Sequence, residues 1–220
     1  MRLILVRHGQ TVHNIESRYQ GHSNSDLSEL GRVQAERVGE RLSHEQIDAV
    51  YSSDLTRAVD TAEAIAKFHK LPAHTDARLR ECAFGEWEGL TVDEVAEQYP
   101  ELYQNYRRDS ITHRAPGGER KEELQARTVD AVNDIVRQHP DGTVVVVVHG
   151  GSLRAFFCHA FDAGLETFTK IRFDNCGITA FSLEPSGRWF LEYSNEICHL
   201  KGLDIVRRSQ EEISVQDRAF

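Results

Sequence analysis

The sequence predicts a single α/β domain with a helical insertion. Two uninterrupted apolar runs, Leu3-Ile4-Leu5-Val6 and the five valines at 144–148, read as buried strands. The second run is bounded by Gly142 and Gly150 and suits a central strand covered on both faces. Between the strand signals lie stretches with apolar residues at helical spacing. No internal repeat or low-complexity linker divides the 220 residues, so one domain is assigned to 1–200, with the insertion at about 82–119.

The first strand runs directly into Arg7-His8-Gly9-Gln10-Thr11, and a polar loop then extends through Ser25. Ser28 is the predicted cap of a helix with Gly31, Ala35, Val38 and Leu42 on one face. The second strand is expected at 47–51 and ends at Ser52-Ser53-Asp54. A helix with Ala58, Ala62 and Ile65 facing inward follows it. Arg57 falls in the first turn of that helix, where a cation is unfavourable unless an anion binds there.

Aromatic and charged residues interleave through 82–119, which reads as an insertion of short helices closed by Pro116-Gly117-Gly118. Leu124, Thr128, Ala131 and Ile135 define the next helix, stopped by Pro140-Asp141-Gly142. The valine strand then ends in His149-Gly150-Gly151-Ser152 and a helix through Phe156 and Phe157. Strands at 178–183 and 188–193 flank Glu184-Pro185-Ser186-Gly187 as a hairpin. Residues 201–220 lose apolar periodicity and read as a mobile or partner-dependent C-terminal extension.

Composition narrows the function classes. A net charge of −9 argues against nucleic acid as a partner, yet a few converging arginines can still bind a small anion. The four cysteines form no C-x-x-C pair, which suits reduced thiols in the cytoplasm. The first apolar stretch is too short for a signal peptide, and no segment is suited to spanning a membrane. No histidine spacing suits a metal, and a homodimer through the terminal strands is left open.

In open α/β sheets ligands bind at the carboxyl ends of strands. Arg7, His8 and His149 lie at such ends, Arg57 lies at a helix start, and Glu81 follows in Leu79-Arg80-Glu81. Phosphoryl transfer through histidine needs such a set: a neutral imidazole, cations and N–H groups for the phosphoryl oxygens, an acid for the leaving oxygen, and glycines that admit close approach. Taken alone, Arg57 reads as a surface helix residue paired with Asp54 or Asp60, and Glu86 and Glu88 compete with Glu81 as the acid.

Six motifs in order resemble the histidine phosphatase superfamily, the phosphoglycerate-mutase-like proteins. They are Arg7-His8-Gly9-Gln10-Thr11 with Asn14; Gln20-Gly21 with Asp26-Leu27-Ser28-Glu29-Leu30-Gly31; Ser52-Ser53-Asp54-Leu55 with Arg57-Ala58; Leu79-Arg80-Glu81 with Phe84-Gly85 and Trp87-Glu88-Gly89; Pro116-Gly117-Gly118-Glu119; and Val148-His149-Gly150-Gly151. The resemblance implies a mixed, mainly parallel sheet with helices on both faces, and a mechanism that needs no metal or other cofactor. It also implies that His8 is phosphorylated, that Arg7, Arg57, His149, Asn14 and the Gly150 N–H hold the phosphoryl group, and that Glu81 donates the proton. Gln20, Gly21 and His22 would border the substrate.

Mutases of this family usually carry Glu-Arg-His-Tyr-Gly at the acid, whereas this chain has Glu81-Cys82-Ala83-Phe84-Gly85. The missing arginine points to the phosphatase branch, a phosphoric monoester hydrolase acting on a small phosphorylated metabolite. A cofactor-dependent phosphoglycerate mutase and a non-catalytic phospholigand-binding protein are the alternatives.

Overall fold

The computed structural model describes residues 1–203. In chain order its elements begin with β1 (Arg2–Arg7), α1 (Val12–Ile15), α2 (Glu29–Leu42), β2 (Ala49–Ser52), α3 (Thr56–His69) and β3 (Ala73–Thr75). They continue with α4 (Val92–Gln98), α5 (Pro100–Arg108), α6 (Lys121–Gln138), β4 (Thr143–Val148), α7 (Gly150–Ala160), β5 (Ile178–Leu183) and β6 (Trp189–Glu196). The sheet order is β3-β2-β4-β1-β5-β6. The first four strands of that order pair in parallel, and β5 and β6 add an antiparallel hairpin at one edge. This is the mixed, mainly parallel sheet that the resemblance implies.

Successive strand side chains point to opposite faces, and the two central strands divide their apolar residues accordingly. Ile4, Val6, Val145 and Val147 pack with Val38 and Leu42 of α2 and Ile65 of α3. Leu3, Leu5, Val144, Val146 and Val148 pack on the other face with Ala131 and Ile135 of α6 and Leu153 and Phe156 of α7. Burial on both faces is why these strands read as unbroken apolar runs. A third cluster, with Trp87 and Tyr106 at its centre, fastens the insertion to α6 and α7 through Leu124 and Ala155.

Register positions the site. β1 and β4 are aligned so that Arg7 faces Val148, which brings the next residues of each strand, His8 and His149, side by side. Ser52 of β2 pairs with Val147, so Ser53 lies at the same level.

The structure corrects several local expectations. The polar loop after β1 contains α1, closed by a reciprocal cap between Thr11 and Asn14. The second strand starts at Ala49 rather than 47, and the last runs on to Glu196. β3 and a 3-10 turn at Leu165–Lys170 have no counterpart in the sequence reading, since neither shows a sustained period. The C-terminal extension expected at 201–220 lies, from 204 on, outside the described residues. Among the described residues no helix is long and apolar enough to cross a membrane, and no group of three His, Cys, Asp or Glu side chains is placed to hold a metal ion.

Candidate active site

His8 leaves β1 with its N–H on the Val148 carbonyl, 3.0 Å away, and is 3% exposed. Its Nδ1 is 2.7 Å from the Gly9 carbonyl oxygen. A carbonyl only accepts, so Nδ1 carries the proton and Nε2 keeps its lone pair in the neutral ring. Burial, followed by the charges of Arg57 and Arg7, holds the His8 pKa well below its usual 6.5. The ring is therefore neutral at neutral pH, the state a nucleophile requires. Gly9 is tightly confined: its N–H donates to Thr61 Oγ1 at 3.1 Å, and an added Cβ would stand 2.6 Å from the Gly31 carbonyl oxygen.

His149 caps α7, and its ring centroid is 5.0 Å from that of His8. Arg57 Nε donates to His149 Nδ1 at 3.2 Å, and His149 Nε2 lies 2.6 Å from Ser53 Oγ. A guanidinium only donates, so the His149 proton is on Nε2 and Ser53 accepts it. Ser53 is fully buried and fixes this tautomer. Ser53→Ala should lower kcat on the order of 10-fold, with Ser53→Thr restoring most of it. The loss should vanish in a His149→Gln background; an undiminished loss there would mean that Ser53 acts elsewhere.

Both histidines are buried and neutral, with burial the largest cause of the depressed pKa in each case. In the unfolded chain they titrate near 6.5, so the unfolded state binds more protons below that value. Stability is complete above about pH 6.5 and falls from there toward the folded pKa values, at up to about 1.4 kcal/mol per pH unit for each histidine. Urea unfolding at about pH 7.5 and pH 5.5 checks this, and an equal midpoint at both would contradict it.

Arg57 is fully buried at the start of α3. Its two terminal nitrogens donate to the carbonyls of Ser23 and Gly21, each at 2.8 Å. Burial pushes its pKa down to about 10, and it remains a cation at neutral pH. Five N–H donors against three protein acceptors leave two for a ligand. Arg7 donates to the Phe173 carbonyl at 2.6 Å, while its Nε is buried without an acceptor.

Glu81 is 6% exposed, and its carboxylate faces the start of α7. Both its oxygens lie 3.0 Å from the Gly151 N–H, and the Cys82 N–H donates to Oε1 at 2.8 Å. A Cβ on Gly151 would collide with Oε1, so glycine is required there for Glu81 to sit at the helix end. Arg127 clamps the segment carrying Glu81. It donates to the carbonyls of Arg78, Arg80 and Glu81 and forms an ion pair with Glu119.

This arrangement presents a neutral imidazole, three guanidinium groups and a carboxylate to one cavity at a helix N-terminus, which can bind a phosphoryl group and exchange a proton with its substituent. The model of the histidine phosphatase superfamily, branch 1, matches residues 3–196. The chain belongs to this superfamily. It is 35% identical over 202 residues to putative phosphoserine phosphatase 2 of Hydrogenobacter thermophilus, covering 92% of this chain and 98% of that one. It is 39% identical over 162 residues to glucosyl-3-phosphoglycerate phosphatase of Mycobacterium tuberculosis, covering 70% and 72%. Bacillus stearothermophilus YhfR superposes with a TM-score of 0.87 at 32% identity, covering 91% of this chain and 99% of that one.

In this histidine phosphatase Arg7, His8, Arg57 and Glu81 line the cavity. Asn14, Gln20 and Gly150 join them. Gly150 is the first residue of α7, where N–H groups have no intrahelical acceptor. Gln20 accepts from Thr11 Oγ1, and Asn14 Oδ1 accepts from the Thr11 N–H. Gly21 and His22 stand behind the lining. The Gly21 carbonyl holds Arg57, its φ of +51° suits glycine, and the His22 ring is on the Glu81 carbonyl at 2.9 Å.

Sequence reasoning missed three residues of this histidine phosphatase site. Ser53 follows a strand end, as His8 and His149 do, and the strand register could have found it. Arg127 falls beside Leu124 and Thr128 on a buried helix face. Arg154 lines the cavity and is a buried cation among the apolar residues of α7.

Proposed function

We propose that this chain hydrolyses a small phosphomonoester through a phosphohistidine at His8. The observation that carries the reading is the His8 imidazole, neutral and held at Nδ1 by Gly9, in a cavity shared with Arg7, Arg57 and Glu81. His8 Nε2 attacks phosphorus as the ester P–O bond breaks, and protonated Glu81 gives its proton to the departing oxygen. Arg7, Arg57, Asn14 and the Gly150 N–H hold the phosphoryl oxygens as charge moves onto them. The Glu81 carboxylate, held by the N–H groups of Gly151 and Cys82, takes a proton from water, which attacks phosphorus and breaks the P–N bond. His149 donates to a phosphoryl oxygen only when Nδ1 carries a proton, because in the resting site that nitrogen accepts from Arg57.

Gln20, Gly21 and His22 shape the substrate side, Gln20 directly and the other two by holding Arg57 and the Glu81 segment. A single domain over 1–200 and action in the cytoplasm belong to the same reading, the latter supported by four cysteines without a disulfide. The net charge of −9 supports a partner other than nucleic acid. Phe190 and Leu191, exposed on the edge strand β6, support a homodimer.

Release of inorganic phosphate across sugar phosphates, phosphoglycerates, phosphoserine and nucleotides tests the activity. Isomerised phosphoglycerate in place of phosphate, on addition of bisphosphoglycerate, would establish a mutase. Tight binding without release would establish a phospholigand-binding protein.

A further inference from the structure

Glu81 sits on a stretch that belongs to no helix or strand: a 3-10 turn at Ala77–Leu79 ends before it, and the next begins at Gly85. Carbonyl groups that enter no ladder or helix need acceptor partners from elsewhere in the chain. Arg127, on α6, supplies the donors. Its Nη1 donates to the carbonyls of Arg78 and Arg80 at 2.8 and 2.6 Å, and its Nη2 to that of Glu81 at 2.7 Å. Nε and Nη2 also donate to the two carboxylate oxygens of Glu119, at 2.6 and 2.7 Å. A guanidinium has five N–H groups, and these five bonds use all of them. Arg57, by contrast, keeps donors for a ligand and lines the cavity, where Arg127 does not.

Glu119 turns this clamp into a junction. Its N–H donates to the Ala83 carbonyl at 2.9 Å, and its Oε2 accepts from the Ala83 N–H at 3.3 Å. The insertion therefore returns, at Glu119, to the place where it leaves the domain just after Glu81. Both side chains of the ion pair are largely buried, and a two-pronged charged contact of this kind is strong and fixes geometry. Geometry matters here because a misplacement of about 1 Å costs on the order of 100-fold in rate.

Resting on the phosphatase reading, we infer that Arg127 and Glu119 are positioning residues for the proton transfer, fixing the Glu81 backbone at the neck of the insertion so that its carboxyl group meets the leaving oxygen. The test compares kcat/KM on nitrophenyl phosphate with that on the alkyl phosphate that wild type hydrolyses best. Arg127→Met should lower the alkyl value about 10- to 100-fold and the nitrophenyl value far less, with Glu119→Gln a weaker copy of it. Arg127→Lys keeps the cation, whose charge also bears on His149, but loses the planar fork, and should show the same selective loss. In a Glu81→Gln background Arg127→Met should add no further alkyl-selective loss. Equal losses on both esters, or a full selective loss with Glu81 already replaced, would overturn the assignment. Amide exchange gives a readout independent of turnover: peptides covering 79–84 should lose protection in Arg127→Lys while those of β4 keep theirs. Unchanged exchange at 79–84 would also overturn it. Wild type that releases phosphate from no ester would instead remove the phosphatase reading, and the exchange result would still decide whether Arg127 holds the segment.

Discussion

His8→Ala is expected to lower kcat on the order of 10⁵-fold or more on every phosphate ester, because it removes the atom that forms the covalent bond to phosphorus. Binding should survive. Arg7 and Arg57 come from separate elements and are held by the Phe173, Gly21 and Ser23 carbonyls rather than by His8. Inorganic phosphate should therefore still bind the variant, as calorimetry would show. A variant that retained even one-tenth of wild-type turnover while folded would exclude His8 as the nucleophile.

Glu81→Gln separates the acid from the rest of the site. Glutamine keeps an acceptor for the Gly151 N–H but has no proton to give a departing alkoxide. For alkyl phosphates kcat/KM should fall by about 10² to 10⁴, the usual range for a lost general acid. Nitrophenolate leaves without protonation, so kcat/KM for nitrophenyl phosphate should fall far less, even though kcat suffers from the slower attack of water on the phosphohistidine. Equal losses in kcat/KM on both substrates would transfer the role to another group, such as Glu88. The present position of Glu88 argues against that transfer, since Glu81 lines the cavity with His8 and Glu88 does not.

The legible parts of this fold are those governed by local pattern. The valine run of β4, the Ser28 cap of α2 and the buried face of α6 each follow from a period or a cap that a few residues carry. β3 escaped because three residues carry no period; it is a strand because β2 offers it an edge. The site divides in the same way. His8 and His149 stand out as histidines at the ends of apolar runs, and the motifs of the family point to Arg57 and Glu81. Ser53 and Arg154 were invisible because their surroundings depend on register and on helix packing, which bring residues 96 apart in sequence into contact in one case and place a cation over an aromatic ring in the other. The bracing role of His22 was equally hidden, since its partner is a backbone carbonyl 59 residues away.

A phosphoryl group carried on His8 is the central claim, and rapid quench during the first turnover tests it most directly. With a substrate labelled at phosphorus, the protein should gain an alkali-stable, acid-labile label that maps to the tryptic peptide 8–18 and decays as free phosphate appears. Label on any other side chain, or phosphate released with no protein-bound label at any time, would contradict it.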